Sequence, residues 1–95
     1  MAMLGRWTKQ PGETISYPVD YVEWLAERPG NAIASYSVTA DDGISVASHV
    51  KTGAIITVLL AGGTSGNSYK VTITTTTDVT QEVKESEFVV KVRAI

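Results

Sequence analysis

The chain has 95 residues, a formal net charge of −2 and no cysteine. That length supports a single modest core, since a fold of this size buries roughly 60–70% of the surface its unfolded chain exposes. Missing cysteine excludes disulfides, thiolate chemistry and cysteine-based zinc sites, and the balance of charge offers no basic excess for neutralising phosphates, so no nucleic-acid partner is expected.

Apolar residues at 43% and charged residues at 19% do not describe a disordered chain. No secretory signal is read in Met1 to Trp7. The longest apolar run, Ala54 to Ala61, is broken by Thr57 and falls far short of the roughly 20 residues a membrane helix requires, so no membrane partner is expected.

Residues 1–12 read as an N-terminal arm, expected to be flexible, closing on the turn Lys9-Gln10-Pro11-Gly12. Residues 13–95 read as one β-sandwich domain. Glu13 to Tyr17 is a short extended piece, and Pro18, which cannot donate to a ladder, marks it as an edge strand. Asp20 and Glu23 have the spacing of a capping box, and Val19 and Trp24 that of a hydrophobic staple. Together they predict a helical turn over Asp20 to Glu27, ended by Pro29-Gly30. So short a helix depends on Trp24 and Leu25 packing onto a sheet.

From Asn31 onward the period is two. Ala32 to Ala40 reads as a strand with Ala34, Tyr36, Val38 and Ala40 on one face, and the out-of-phase Ile33 suggests a bulge or a late entry into the sheet. Asp41-Asp42-Gly43 is a turn. Ile44 to Val50 follows, with Ile44, Val46 and Ser48 on one face, and Lys51-Thr52-Gly53 turns the chain again. Ala54 to Leu60 is apolar on both faces and is placed centrally. After the glycine-rich connection Ala61 to Asn67, Ser68 to Thr77 alternates cleanly. Asp78 to Gln81 turns, and Glu82 to Arg93 ends the pattern with Phe88, Val90 and Val92 inward. The expected fold is all-β: an antiparallel sandwich of six or seven strands, with a small β-barrel as the competing arrangement.

Few residues suggest chemistry. His49 is the single histidine and has neither a second histidine nor a relay motif beside it, so it reads as a surface residue. Asp41 and Asp42 are explained by their turn, and Asp20 with Glu23 by capping. Gly62-Gly63-Thr64-Ser65-Gly66 lacks the Gly-Lys-Ser/Thr ending of a phosphate-binding loop and opens a strand, not a helix. Thr72, Thr74 and Thr76 form a solvated file with good strand propensity. No catalytic residue, metal site or cofactor site is read, and no enzyme is expected. Two features remain as candidate partner contacts. One is Trp7, an aromatic without an assigned packing role. The other is the loop Gly62, Gly63, Thr64, Ser65, Gly66 and Asn67, where glycine lets a backbone approach a partner closely.

Several stretches taken in order carry a resemblance: Lys9 to Glu13, Tyr17 to Leu25, Ile33-Ala34-Ser35, Leu60 to Gly66, Tyr69 to Thr72, and Phe88 to Arg93. The sequence resembles small structural proteins of tailed phages and prophages of the fibre–tail adaptor type. The Asp20–Trp24–Leu25 block and the Gly62-Gly63-Thr64-x-Gly66 block are the more specific parts. The resemblance implies an immunoglobulin-like sandwich and a place in the virion, near the tail, after assembly in the bacterial cytoplasm. It further implies other phage tail or fibre proteins as partners, and leaves room for a homo-oligomer in the particle. The competing function is a carbohydrate- or surface-binding module built on the Gly62 to Asn67 loop and Tyr69.

Overall fold

A computed structural model describes residues 2–94 as two facing sheets joined by short turns. The strands are β1 (Ala2–Lys9), β2 (Ile15–Asp20), β3 (Ile33–Ala40), β4 (Ile44–Thr52), β5 (Ile55–Gly62), β6 (Ser68–Thr77) and β7 (Val83–Val92), with one helix, α1 (Val22–Ala26), between β2 and β3. One sheet runs β1-β7-β6-β3 and the other β2-β5-β4. All pairs are antiparallel except β1 with β7. The all-β sandwich expected from the two-residue period is therefore present, with seven strands.

The core follows directly from that period. Alternate residues of a strand share a face, and three strands place an unbroken apolar file inward. These files are Ile56, Val58 and Leu60 on β5, Val71 and Ile73 on β6, and Phe88, Val90 and Val92 on β7, all without solvent exposure. β5 lies between β2 and β4, as its two apolar faces suggested, though Ile55 on its outer face is exposed. Thr75, Thr77 and Ser86 extend the buried files with small polar side chains.

Within the stretch read as an arm, Ala2–Lys9 form β1. Backbone pairing runs from Ala2 opposite Ser86 to Lys9 opposite Val92, with a register shift between Met3 and Arg6. Trp7 supplies much of the reason. Its ring lies 5.0 Å from Phe88, edge to face, and 5.4 Å from Tyr17. Aromatic packing of this geometry adds roughly 0.5–1.5 kcal/mol per pair beyond simple burial. The partner of β1 is the last strand of the chain, which no local pattern in the first twelve residues specifies.

Two local expectations need correction. The helix begins after Tyr21, and no side chain caps it. Asp20 Oδ1 instead accepts from the Val22 amide at 2.8 Å, and Glu23 returns no bond to Asp20. The cause is strand pairing. Asp20 is still in register with Ile55, and the Tyr21 amide donates to the Ala54 carbonyl at 2.8 Å. That holds Asp20 in β2 and the buried Tyr21 at the turn into the helix. In β4, a register shift between Val46 and Ser48 inserts an extra residue at Ala47. Ser48 therefore turns to the outer face and His49 to the inner side, the usual consequence of a bulge. The bulge expected at the start of β3 is present, between Ile33 and Ser35.

Phe88 joins the aromatic cluster to the apolar files of both sheets, and Phe88→Ala is expected to cost about 3–5 kcal/mol in a urea titration. A second prediction concerns pH. Burial raises the Tyr17 and Tyr21 phenols above their ordinary value of 10.0, and among the described residues the Tyr17 hydroxyl has no hydrogen-bond partner. Raised values make the protonated forms the stabilising ones. Their contribution is full below the unfolded value and is lost as pH rises through the folded values. Melting temperature should hold steady up to about pH 9 and then fall, and Tyr17→Phe should melt no lower at neutral pH and lose less on the alkaline side.

Candidate interaction surface

One end of the sandwich gathers the Gln10–Thr14 connection, the Asp41–Gly43 turn, the Gly62–Asn67 loop and the segment after β7. The Gly62–Asn67 loop crosses it, with Thr64, Ser65, Gly66 and Asn67 exposed. Its backbone is held firmly from beneath. Gly66 N donates to the Val92 carbonyl at 2.9 Å, Val92 N to the Asn67 carbonyl at 2.9 Å, and Ala94 N to Ser65 Oγ at 3.0 Å. Within the loop, Asn67 N donates to the Thr64 carbonyl at 3.1 Å.

Tyr69 is the post the loop winds around. Its ring is buried and its hydroxyl oxygen accepts from Thr64 N at 2.8 Å and from Asn67 Nδ2 at 3.4 Å. These hydrogen bonds, from the Asn67 side chain first and then from Thr64, hold the phenol below its ordinary value. The same ring fills the space under two glycines. A Cβ on Gly43 would lie 2.9 Å from Tyr69 Cε1, and one on Gly63 would lie 3.3 Å from Tyr69 Cε2 and 2.5 Å from Val92 Cγ2. Glycine at these points is required by close approach as well as by positive φ.

The second anchor is Lys9, only 1% exposed. Buried ammonium groups are costly unless hydrogen-bonded. Here Nζ donates to the Gly62 carbonyl at 2.7 Å, to the Gln10 carbonyl at 2.8 Å and more weakly to the Pro11 carbonyl at 3.5 Å. The cation thus ties the Gln10-Pro11 turn to the base of the glycine loop. Sequence reasoning missed this role. The only signal was that Lys9 shares a face with Trp7 two residues earlier, and a lysine there reads by default as solvent-facing.

The two groups of candidate contacts are not brought together. Trp7 belongs to the aromatic cluster with Tyr17 and Phe88, so the packing role it lacked in the sequence is supplied by tertiary structure. His49 is exposed on β4, with its Nδ1 2.8 Å from the Tyr36 hydroxyl. Asp41 accepts from the Lys70 amide at 2.8 Å, which locks its turn. At the opposite end an open recess is lined by Glu27, Arg28, Pro29, Asn31, Thr80 and Glu82. Its polar groups serve each other. Arg28 pairs with Glu82 at 3.0 Å and lies 4.6 Å over the Trp24 ring, while Asn31 Oδ1 accepts from the amides of Val79 and Thr80. Among the described residues no group of three histidine or acidic side chains is placed to hold a metal, and no helix is long and apolar enough to cross a membrane.

A family model described as "Podophage GP4 fiber-tail adaptor protein gp77" matches residues 9–91. The match spans the sandwich from the end of β1 to the last turn of pairing in β7 and includes both loop anchors, Lys9 and Tyr69. No curated protein and no solved structure matches the chain.

Gly63 and Gly66 provide an internal control for the rigidity of this surface. Both have positive φ, +97° and +93°, but a Cβ on Gly66 meets open space. Gly66→Ala should therefore cost only the backbone term, about 1–2 kcal/mol. Gly63→Ala should cost a further 1–3 kcal/mol or so for the collision with Val92. Equal destabilisation of the two variants in chemical denaturation would contradict the packing described.

Proposed function

Because the chain belongs to the podophage fibre–tail adaptor family, we propose that it works without catalysis, as a structural joint of the virion tail that binds tail or fibre proteins through the loop end of the sandwich. The observation that carries this reading is the Gly62–Asn67 loop. Its outer residues are exposed while its backbone is pinned by Tyr69, Lys9, Val92 and Ala94. A loop ordered before contact loses little conformational entropy on binding, which favours affinity per unit of buried area. Rigid sandwiches commonly present recognition loops from one end in this way.

We also read the sandwich as immunoglobulin-like. Strand order supports this: β2-β5-β4 corresponds to the B-E-D set and β3-β6-β7 to the C-F-G set of such domains, with β1 placed beside the last strand. Assembly in the bacterial cytoplasm, before release of the particle, accords with a chain that has no cysteine.

Mass spectrometry of purified, infectious particles tests the proposal. The chain should be present at a fixed ratio to tail proteins. Thr64→Lys, at an exposed residue whose backbone amide makes the bond to Tyr69, should lower its incorporation while leaving the melting temperature of the isolated protein within about 2 °C. Absence from complete particles would overturn the adaptor reading, and binding to a glycan array would then favour a carbohydrate-binding module.

A further inference from the structure

The four sheet edges are not equally protected. An open edge offers unpaired amides and carbonyls to any other strand, and proteins ordinarily blunt it with proline, charge or a bulge. On β2 the edge carries Pro18 at mid-strand. β4 carries a bulge at Ala47 and then Lys51. The register shift of β1 lies between Met3 and Arg6, and Arg6 itself is exposed. β3 is different. After the bulge at its start, Ser35 to Ala40 runs through six residues, Ser-Tyr-Ser-Val-Thr-Ala, without charge, proline or glycine.

Which backbone groups of β3 are free follows from its pairing. Asp41 N donates to the Lys70 carbonyl at 3.0 Å. Hydrogen-bonded positions alternate along an antiparallel pair, so Thr39, Ser37 and Ser35 face β6. Tyr36, Val38 and Ala40 direct their amides and carbonyls away from it. No described element pairs with those groups.

We propose that β3 pairs with β3 of a second copy of this chain, antiparallel and centred on Val38. This register makes about six backbone hydrogen bonds, two from each pair of facing outward residues. It sets Tyr36 opposite Ala40 of the second copy, a large side chain against a small one, and Val38 opposite Val38. Ser37 faces Thr39. The acidic turn adds no repulsion, because Asp41 and Asp42 fall opposite Ser35 and Ala34 and not opposite each other. Like charges directly across a pair would be unfavourable, and the strand has none to oppose. The contact is isologous and closes on itself as a two-fold dimer. It joins the two β1-β7-β6-β3 sheets into one continuous sheet and leaves the Gly62–Asn67 loops free for other partners.

Sedimentation equilibrium of the purified full chain over a broad concentration range tests this. Wild type should dimerise. Val38→Pro removes an amide that points away from β6, so the fold should persist while the dimer weakens at least about tenfold. Ser37→Lys with Thr39→Lys sets lysines against lysines without touching any amide and should have the same effect. Mixing that variant with Ser37→Glu/Thr39→Glu should restore a heterodimer. A wild-type chain that stays monomeric, or lysine variants that dimerise unchanged, would overturn the proposal. A monomeric chain still found in particles would leave the adaptor reading standing. If Val38→Pro then blocked incorporation, the free edge would belong to a strand of a different protein.

Discussion

Everything in this molecule depends on three strands that bury one face completely. Ile56, Val58 and Leu60 on β5 meet Val71 and Ile73 on β6 and Phe88, Val90 and Val92 on β7, without solvent exposure. Burial of apolar area at roughly 25 cal/mol per Å² is the dominant favourable term for so small a domain. The files fix register, because a slip of one residue would turn each of them outward. Register in turn decides where every turn and loop lies, including the glycine loop that follows β5 directly.

The loop end shows how a sandwich makes a defined surface from flexible residues. Gly62, Gly63 and Gly66 all have positive φ, and such a stretch in isolation would be loose. Two anchors from elsewhere in the chain remove that freedom. The Tyr69 hydroxyl holds the Thr64 amide, and the Lys9 ammonium holds the Gly62 carbonyl. Both come from elements whose own positions are set by the core. The order of this loop thus traces back to the core that positions strands β1 and β6.

Edges are the other product of this topology. A two-sheet sandwich always has four, and here three are blunted by local chemistry while β3 is left plain. The contrast is specific to the strand. Pro18 on β2, the bulge at Ala47 on β4 and the register shift before Arg6 on β1 each break an otherwise continuous edge.

Much of this was legible from the sequence. Period-two patterning identified β3, β4, β6 and β7, because each must turn alternate residues inward and that requirement is written locally, and a short run apolar on both faces identified β5. Asp41-Gly43 and the bulge after Ile33 were legible for the same reason: turn and phase signals act over two or three residues. The helical segment was located, but its cap was misplaced, since Asp20 has two local options and the pairing of β2 with β5 selects the strand. What only the tertiary structure decided involves partners far apart in the chain. β1 lies against β7, Trp7 packs on Phe88, and Lys9 reaches Gly62, 53 positions away. A strand whose pairing residue is some 80 positions distant carries no sign of it in its own neighbourhood. A lysine reads as exposed until three carbonyls are seen to surround its ammonium. Local periodicity determines which residues face inward; the closing of long loops around the buried files determines which of them meet.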